Sequence, residues 1–342
     1  MIRTDHYRIT DSSAAPQLNQ LARACNFVWN FCNESQEHAL RWNQRWPTGF
    51  DLNKLTAGSS KELGLHSQTV QAVGEEYATR RKQSKKRKLR WRGKRSLGWI
   101  PFKASGVKVV EDTVIYAGNT FRFWKSRDIS GVIKTGNFAQ DSRKRWYVNF
   151  VVEAPEAEAT TGTRHIGIDL GLKTLATCSD GRKIEAPCWY RNQQRRIAEH
   201  QRKKRSRQAR NLHAKIANRR KDFLHKESDR LTKECELIVV GDVRSAKLTK
   251  TNMAKSVNDV GWAIFKTLLS YKAIARKVVY REVSERLSTQ TCSGCSAIGG
   301  PKGREGLGIR EWVCGECGAV HDRDVNAAMN ILRMGHHALA LK

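Results

Sequence analysis

Residues 289–324 read TQTCSGCSAIGGPKGREGLGIREWVCGECGAVHDRD and contain two Cys-x-x-Cys pairs, Cys292 with Cys295 and Cys314 with Cys317. Two such knuckles can bring four thiolates to one tetrahedral ion, and Zn²⁺ suits four sulfur ligands with no open coordination position. The stretch therefore predicts a zinc ribbon with a structural metal. The alternative is a pair of redox motifs, which would place one Cys-x-x-Cys at a helix start, whereas a glycine-rich hairpin separates these pairs.

Two acids follow the second cysteine pair directly. Asp324 opens an amphipathic helical pattern seven residues after Cys317, so a metal-clamped ribbon would fix the position of this carboxylate. Asp322 is the candidate for the N-terminal cap of that helix. His321 could be a metal ligand, but four cysteines already saturate a zinc ion.

A third acid, Asp169, lies near the end of the apolar strand predicted for residues 164–170. An acid in such a strand is costly unless it binds something, although Asp169 taken alone could be a turn-forming aspartate. The strand, a hairpin over residues 174–186 and a later parallel strand at residues 237–240 resemble the RNase H arrangement. In that fold, carboxylates hold two Mg²⁺ ions about 3.5–4 Å apart for phosphodiester hydrolysis.

The charge balance predicts a polyanionic partner. The 342 residues include 63 Lys and Arg against 33 Asp and Glu, a formal net charge of +30. Nucleic acid is the natural partner, because neutralising its phosphates releases condensed counterions. An anionic membrane surface and a basic fold without a fixed partner are the alternatives.

The chain shows no stretch of 18 apolar residues and no apolar signal region at its N-terminus. We therefore expect no membrane span and a cytoplasmic location. Nine cysteines, four of them in close pairs, favour metal binding over disulfides in such a reducing compartment.

Two basic runs are the candidate nucleic-acid contacts. The first, over residues 80–95, is interleaved with Trp91, Trp99 and Phe102; such rings can stack on bases while Arg binds phosphate. The second lies in the predicted helical region 191–234. A solvated face is the alternative for both. The nucleic-acid-binding residues predicted from these runs are Arg80, Arg81, Lys85, Lys86, Arg87, Arg90, Trp91, Lys203, Lys204, Arg205, Arg219 and Arg220.

Three segments resemble motifs of the TnpB family. Residues 167–177 (GIDLGLKTLAT) resemble its first RuvC motif, residues 289–318 its zinc ribbon, and residues 322–332 (DRDVNAAMNIL) its third RuvC motif. The resemblance implies a transposon-encoded, RNA-guided DNA endonuclease related to compact type V CRISPR effectors and Fanzor. It also implies a guide RNA and target double-stranded DNA as partners, cleavage beside a short flanking motif, and two catalytic Mg²⁺ ions in addition to the structural Zn²⁺.

The expected fold class is α/β: an RNase H-like RuvC domain with an inserted zinc ribbon, preceded by a small β-barrel interrupted by a helical insert. Period-two patterns between residues 106 and 153 predict barrel strands, and helical periodicity predicts the insert. The expected domain limits are 1–10 for the first barrel strand, 11–97 for the helical insert, 98–155 for the rest of the barrel, 156–163 for a linker, 164–291 for the RuvC-like domain, 292–317 for the zinc ribbon, and 318–342 for the end of the RuvC domain with the C-terminal tail.

The second RuvC motif departs from the family pattern. Most members carry a Glu at the end of the central strand, where this chain has Gly241 followed by Asp242. Strand side chains alternate between faces, so Asp242 should point away from the position of that Glu. Glu285, after the next strand, resembles the relocated Glu of Fanzor and of some TnpB proteins, whereas Glu282 should face the other side of its strand.

The resemblance therefore implies that Asp169, Glu285 and Asp324 are the catalytic acids that hold the Mg²⁺ ions. If Glu285 only forms a surface ion pair with Arg286 or Lys277, the site lacks its middle acid. The alternative function is then a nuclease-deficient, RNA-guided DNA-binding protein that represses transcription. A strand-transferring transposase is disfavoured, because the sequence shows no tyrosine nucleophile arrangement.

Overall fold

The computed structural model describes residues 1–156, 158–243, 259–302 and 305–340. The chain forms two units, Met1–Pro155 and Glu156–Lys342. Helical periodicity predicts a helix from about residue 254 to residue 275, and its first residues, 254–258, lie outside the described residues. Within the described ranges, no helix is long and apolar enough to cross a membrane.

The first unit contains a nearly closed barrel of seven strands: β1 (Ile2–Ile9), β2 (Trp99–Lys103), β3 (Val107–Val110), β4 (Thr113–Tyr116), β5 (Asn119–Trp124), β6 (Val132–Gln140) and β7 (Trp146–Glu153). Their order is β2-β6-β7-β1-β5-β4-β3. The N-terminal strand β1 pairs antiparallel with β5 and β7, as the sequence predicts. Aromatic side chains, among them Tyr7, Phe121 and Phe150, fill the interior.

Three helices lie between β1 and β2 in the chain: α1 (Ala14–Arg41), α2 (Gly49–Leu55) and α3 (Ser67–Ser84). The apolar face of α1 is buried, because its apolar residues recur at helical spacing. The sequence analysis missed α2, which begins with a capping box between Thr48 and Asp51.

The strand β2 corrects one part of the predicted nucleic-acid face. Phe102 is only 1% exposed and belongs to the barrel core. Trp99 is partly buried and packs edge-on against Trp29 of α1. The expectation that these two rings interleave with the basic run is wrong, because both are used in packing.

The sheet of the second unit has five strands: β8 (Arg164–Leu170), β9 (Thr174–Cys178), β10 (Lys183–Glu185), β11 (Cys235–Gly241) and β12 (Val279–Val283). Their order is β10-β9-β8-β11-β12. The first three are antiparallel neighbours, while β11 runs parallel to both β8 and β12. The carboxyl ends of β8, β11 and β12 therefore meet at one edge of the sheet.

Within the described residues, four helices accompany this sheet: α4 (Trp189–Arg202), α5 (Ser206–Glu234), α6 (Trp262–Ala275) and α7 (Arg323–Ala340). Residues 191–234, predicted as one helical region, thus form two helices. Apolar residues of α5 and α6 pack with one face of the sheet, and Ile331 of α7 packs with the other face.

Close approach of α7 to the sheet explains two glycines. A Cβ on Gly167 of β8 would lie 2.1 Å from the carbonyl oxygen of Ala328, and a Cβ on Gly335 of α7 would lie 2.3 Å from Val239. Only glycine fits at such contacts. Just before α7, a short hairpin of β13 (Glu311–Val313) and β14 (Val320–Asp322) carries the second cysteine pair in its turn.

Candidate carboxylate and cysteine sites

Asp169 lies next to the end of β8, on the face that α7 covers. Ile168 is in register with Val240 of β11, so the next residue pair at this level is Asp169 and Gly241. Gly241 is in turn in register with Val283 of β12. Residues at the same level of a parallel sheet point to the same face, so this face presents one acid and one empty glycine position.

The side chain of Glu285 lies over that glycine position. A Cβ built on Gly241 would be 3.4 Å from Glu285 Oε2 and 3.5 Å from Glu285 Cβ. Glu285 follows the end of β12 by two residues, and it lies on the same face as Val283, which is in register with Gly241. The carboxylate of Glu285 therefore reaches the space beside Gly241 from the neighbouring strand.

The two other acids at this edge lie on the opposite face. Lys266 of α6 donates to Glu282 Oε2 at 2.6 Å and to Asp242 Oδ1 at 3.4 Å. The Asp242 N–H donates to the carbonyl of Val283 at 2.7 Å, which continues the pairing of β11 with β12. These contacts hold Asp242 and Glu282 at the lysine of α6.

Asp324 is the second residue of α7, and its helix terminus is capped by Asp322. Asp322 Oδ1 accepts from the N–H groups of Asp324 and Val325, both at 3.0 Å. Lys183 of β10 donates to the other oxygen of Asp322 at 2.6 Å. Burial alone would raise the pKa of Asp322, but the Lys183 ammonium and the backbone N–H of Val325 hold it below its usual range. Asp322 thus caps the N-terminus of α7 as a charged carboxylate.

Sequence reasoning did not identify Arg310, which lies against Asp324. Its guanidinium donates to Asp324 Oδ2 at 3.2 Å. The Arg323 N–H also donates to the Arg310 carbonyl at 2.7 Å, so the ribbon and the beginning of α7 are joined at this point. No spacing rule marks an arginine in an irregular segment as the partner of a distant acid.

Asp169 lies close enough to both other predicted acids for their charges to act on it. Burial, with the carboxylates of Asp324 and Glu285 adding to its effect, raises the pKa of Asp169 to about 8. Arg323 opposes this increase. Partial burial also raises the pKa of Glu285, with Asp242 adding to the increase and Lys266 opposing it. A divalent cation would relieve the repulsion between Asp169 and the carboxylates of Asp324 and Glu285.

The four cysteines converge in the geometry of a tetrahedral site. Their sulfur atoms all lie within 4.8 Å of one another. The Cys292–Cys317 sulfur pair is 3.7 Å apart and the Cys295–Cys314 pair 3.6 Å apart. Tetrahedral Zn²⁺ with Zn–S bonds of about 2.3 Å requires sulfur separations of about 3.8 Å. The donor set and its spacing therefore fit Zn²⁺.

The surroundings of Cys292 favour a thiolate. The backbone N–H of Cys295 lowers the pKa of the Cys292 thiol, and the His321 ring adds to this effect. The His321 Nε2 atom lies 3.0 Å from Cys292 Sγ, and its ring packs against Trp312. This contact places His321 beside a sulfur ligand, in the position of a group that supports the ligand from outside the tetrahedron.

Two residues of the predicted nucleic-acid-binding set are used in contacts within the protein. Arg81 is only 8% exposed; it donates to Gln36 and, at 2.8 Å, to the Pro47 carbonyl, so it belongs to the packing of the first unit. Arg220 is largely buried and pairs with the carboxylate of Asp259 at 3.0 Å. Both positions face protein groups, because helical periodicity turns part of each basic run inward. The exposed members of the set are Arg80, Lys85, Lys86, Arg87, Arg90, Trp91, Lys203, Lys204, Arg205 and Arg219.

The basic segment after α3 is attached to α1 by side-chain amides that sequence reasoning missed. Asn30 bonds both the N–H and the carbonyl of Arg92, at 2.8 and 2.9 Å. Asn33 pairs with Leu89 in the same way, at 3.2 and 2.7 Å. Between these two anchors Trp91 is 50% exposed. The exposed ring and its basic neighbours are therefore presented by a fixed backbone.

Two family models match the chain. Residues 149–252 match OrfB_IS605, described as "Probable transposase", and residues 262–331 match the Cas12f1-like TNB domain. The cryo-EM structure of a Cas12f1-sgRNA-target DNA complex matches with a TM-score of 0.60 at 12% identity, over 94% of this chain and 83% of that chain. This similarity shows a shared mixed α/β fold.

Named relatives agree with these matches. A "Putative RNA-guided DNA endonuclease" of Streptomyces pristinaespiralis is 37% identical over 60% of this chain and 54% of its own length. The "Putative RNA-guided DNA endonuclease InsQ" of Escherichia coli (strain K12) is 26% identical over 95% of this chain and 90% of its own. The "TnpB-like protein L770" of Acanthamoeba polyphaga mimivirus is 24% identical over 69% and 51%.

The chain thus spans about half of the Streptomyces and mimivirus proteins, and most of InsQ. The matched regions include the sheet of the second unit and both cysteine pairs, which carry the motifs. The family models and the named relatives confirm the sequence-based resemblance of this chain to the TnpB family.

Proposed function

We propose that this chain is a transposon-encoded, RNA-guided DNA endonuclease that cuts target DNA beside a short flanking motif. The observation that carries the proposal is the position of Glu285 over Gly241, which supplies a third carboxylate to the site of Asp169 and Asp324. The relatives named as RNA-guided DNA endonucleases support the same reaction class.

The architecture of the second unit supports a RuvC-like nuclease. A five-stranded sheet with one antiparallel arm, and with acids at the carboxyl ends of its parallel strands, matches the RNase H arrangement. The hairpin with the second cysteine pair directly precedes α7, which bears Asp324. In this proposal the cysteine cluster is a zinc ribbon inserted into the nuclease domain.

Asp169, Glu285 and Asp324 would hold two Mg²⁺ ions, which activate water and stabilise the leaving oxygen in phosphodiester hydrolysis. The carboxylates suit this role because oxygen ligands are what Mg²⁺ prefers, and because their mutual repulsion is relieved by a cation. Asp169 must lose its proton to become a ligand, since its pKa is raised to about 8. Arg310 donates to Asp324, so a cation bound to this carboxylate would compete with the guanidinium.

The basic surfaces would bind nucleic acid backbone. The exposed cations at residues 203–205 lie between α4 and α5, and Trp91 projects from the fixed basic segment of the first unit. Contacts of this kind bind phosphate without reading sequence. In the proposal, base pairing between a guide RNA and the target strand selects the sequence, and the protein reads the flanking motif.

The test is a cleavage assay with the RNA that co-purifies with the chain. That RNA is sequenced, and a plasmid matched to its guide segment is offered in Mg²⁺. We expect cleavage by the wild type and none by Asp169→Ala, with equal binding of the plasmid by both. Binding without cleavage by the wild type would replace the proposal by the alternative, a nuclease-deficient guided repressor.

A further inference from the structure

Glu285 lies on a turn and not on a strand, so its position depends on what holds the residues after it. The turn is closed by the Ser288 N–H, which donates to the Glu285 carbonyl at 3.1 Å, and Leu287 adopts a positive φ of 63°. Ladder hydrogen bonds fix Asp169 within β8, whereas β12 ends before Glu285. The carboxylate that lies over Gly241 therefore needs another anchor.

Two buried amides of α7, Asn326 and Asn330, provide that anchor. Asn330 donates to the carbonyls of Ser288 and Thr291, at 2.8 and 2.7 Å. Asn326 donates to the same two carbonyls, at 3.3 and 2.8 Å. Asn326 is 1% exposed and Asn330 is 3% exposed, so these bonds form away from water. An unpaired carbonyl would be costly in such a place.

The same amides reach the first cysteine pair. Asn326 accepts from the Ser293 N–H at 2.8 Å, within the turn between Cys292 and Cys295. Asn330 accepts from Arg333 at 2.7 Å, and Arg333 also donates to Ser296 at 2.7 Å. Each amide thereby uses both its oxygen and its nitrogen. One face of α7 thus binds the Glu285 turn and the first cysteine knuckle together.

We propose that Asn326 and Asn330, the asparagine clamp, are positioning residues that set Glu285 relative to Asp324. Asp324 belongs to the same helix, so the clamp makes the spacing of the two acids a property of α7. The inference rests on the proposed function, because it concerns ligands of the proposed Mg²⁺ site. Supporting groups of this kind orient metal ligands and commonly change metal affinity by about 10–100-fold.

A clamp with this role affects the binding of divalent cations more than it affects the fold of the sheet. Without the amides, Glu285 would sample several positions while Asp169 stays fixed by β8. The affinity for a divalent cation should fall, and the hydrogen exchange of residues 285–293 should rise. The sheet and the bound zinc should remain as they are.

The experiment uses the full chain, with Asn326→Ala combined with Asn330→Ala. Met329→Ala is the matched control, because Met329 lies between the two asparagines and is 44% exposed. The probe is Mn²⁺, whose free fraction is followed by electron paramagnetic resonance, with Asp169→Ala defining the specific site. Hydrogen exchange by mass spectrometry compares residues 285–293 with β8 and β11, and zinc content is measured in parallel.

We expect the double variant to bind Mn²⁺ about tenfold more weakly, with faster exchange at residues 285–293, unchanged exchange of β8 and β11, and full zinc content. The single variant Asn330→Ala should show a smaller change in the same direction, which keeps the test decisive if the double variant does not fold. Unchanged Mn²⁺ affinity overturns the clamp. Weaker Mn²⁺ binding together with faster exchange of the sheet also overturns it, since the amides would then support only the fold.

Failure of the clamp and failure of the proposed function give different results. If the wild type binds Mn²⁺ through Asp169 and the double variant binds it equally well, the clamp is wrong and the nuclease proposal is unaffected. If the wild type shows no Asp169-dependent Mn²⁺ binding and cuts no matched plasmid, the nuclease proposal itself is wrong.

Discussion

The two candidate metal sites of the second unit are built in opposite ways. The cysteine site takes all four ligands from residues 292–317, where two tight turns carry them. The proposed carboxylate site would take one acid each from the end of β8, the turn after β12 and the beginning of α7. In the cysteine site, the spacing of the ligands along the chain determines the geometry, so no ligand can move to another sequence position. In the carboxylate site, neighbouring strands end at the same place, so the sequence can supply an acid from either strand end.

Cys292 and Asp169, one candidate ligand of each site, have pKa shifts in opposite directions. Backbone N–H groups lower the pKa of Cys292 and so prepare a thiolate for a cation. At the carboxylate site, burial and neighbouring acids raise the pKa of Asp169. The surroundings of Cys292 thus favour its charged form, although the neighbouring thiols of Cys317 and Cys314 raise the pKa of Cys295. Asp169 needs the cation itself to favour its charged form.

The largest expected effect is a difference in cleavage rate between Glu285→Ala and alanine variants of the neighbouring acids. Glu285→Ala should reduce the cleavage rate by about a thousandfold, because a two-metal centre short of one carboxylate loses charge and geometry. Asp242→Ala and Glu282→Ala should stay within about threefold of the wild type, since both acids contact Lys266 on the other face. Single-turnover cleavage of a matched plasmid measures all three.

A loss of cleavage in Asp242→Ala with normal cleavage in Glu285→Ala would reverse the assignment. In that case the segment after β12 would not supply the acid that is absent at Gly241.

The second prediction joins the two sites. Cys295→Ser should lower the zinc content and reduce cleavage by about a hundredfold, because the ribbon holds the beginning of α7 and the Glu285 turn. The affinity for the co-purifying RNA should change by less than about threefold, as expected of a local effect. Zinc analysis, cleavage rates and filter binding measure these quantities. Normal cleavage by a zinc-free chain would show that the two sites are independent.

The sequence predicts the locally encoded parts of this molecule well. The Cys-x-x-Cys spacing predicts a convergence that the sulfur separations match. Period-two and helical patterns predict β1, α1 and most barrel strands, because burial of one face imposes those periods. The face of Asp242 follows from strand alternation alone.

The parts that the sequence does not predict depend on partners far along the chain. Arg81 and Arg220 look like their basic neighbours, and only tertiary contacts show that they are buried in packing. The ion pair of Arg310 with Asp324 and the amide bonds of Asn326 likewise join segments without a shared spacing rule. The predicted roles of Asp169, Glu285 and Asp324 remain predictions that the following experiments test.

The third prediction moves the acid back to the central strand. Gly241→Glu in a Glu285→Gln background should cleave about thirtyfold faster than Glu285→Gln alone, because the new carboxylate would enter the space that Glu285 now occupies. A Cβ at position 241 lies 3.1 Å from the terminal methyl of Ile331, a contact that a small side-chain movement relieves. No recovery, in a variant with wild-type zinc content and RNA binding, would mean that the strand ends are not equivalent.

The smallest expected effect is a difference in pH dependence between the two sites. The pKa of Asp169 is raised to about 8, so below this pH the carboxyl carries a proton that a cation must displace. The Mg²⁺ concentration for half-maximal cleavage should therefore fall by about tenfold for each pH unit between 6 and 8, and become constant above. Zinc content should stay constant over the same range, because structural zinc sites bind the ion with a large free energy, about 10–16 kcal/mol near pH 7. A half-saturating Mg²⁺ concentration independent of pH between 6 and 8 would mean that Asp169 is already ionised in that range, and the electrostatic contrast between the two sites would no longer hold.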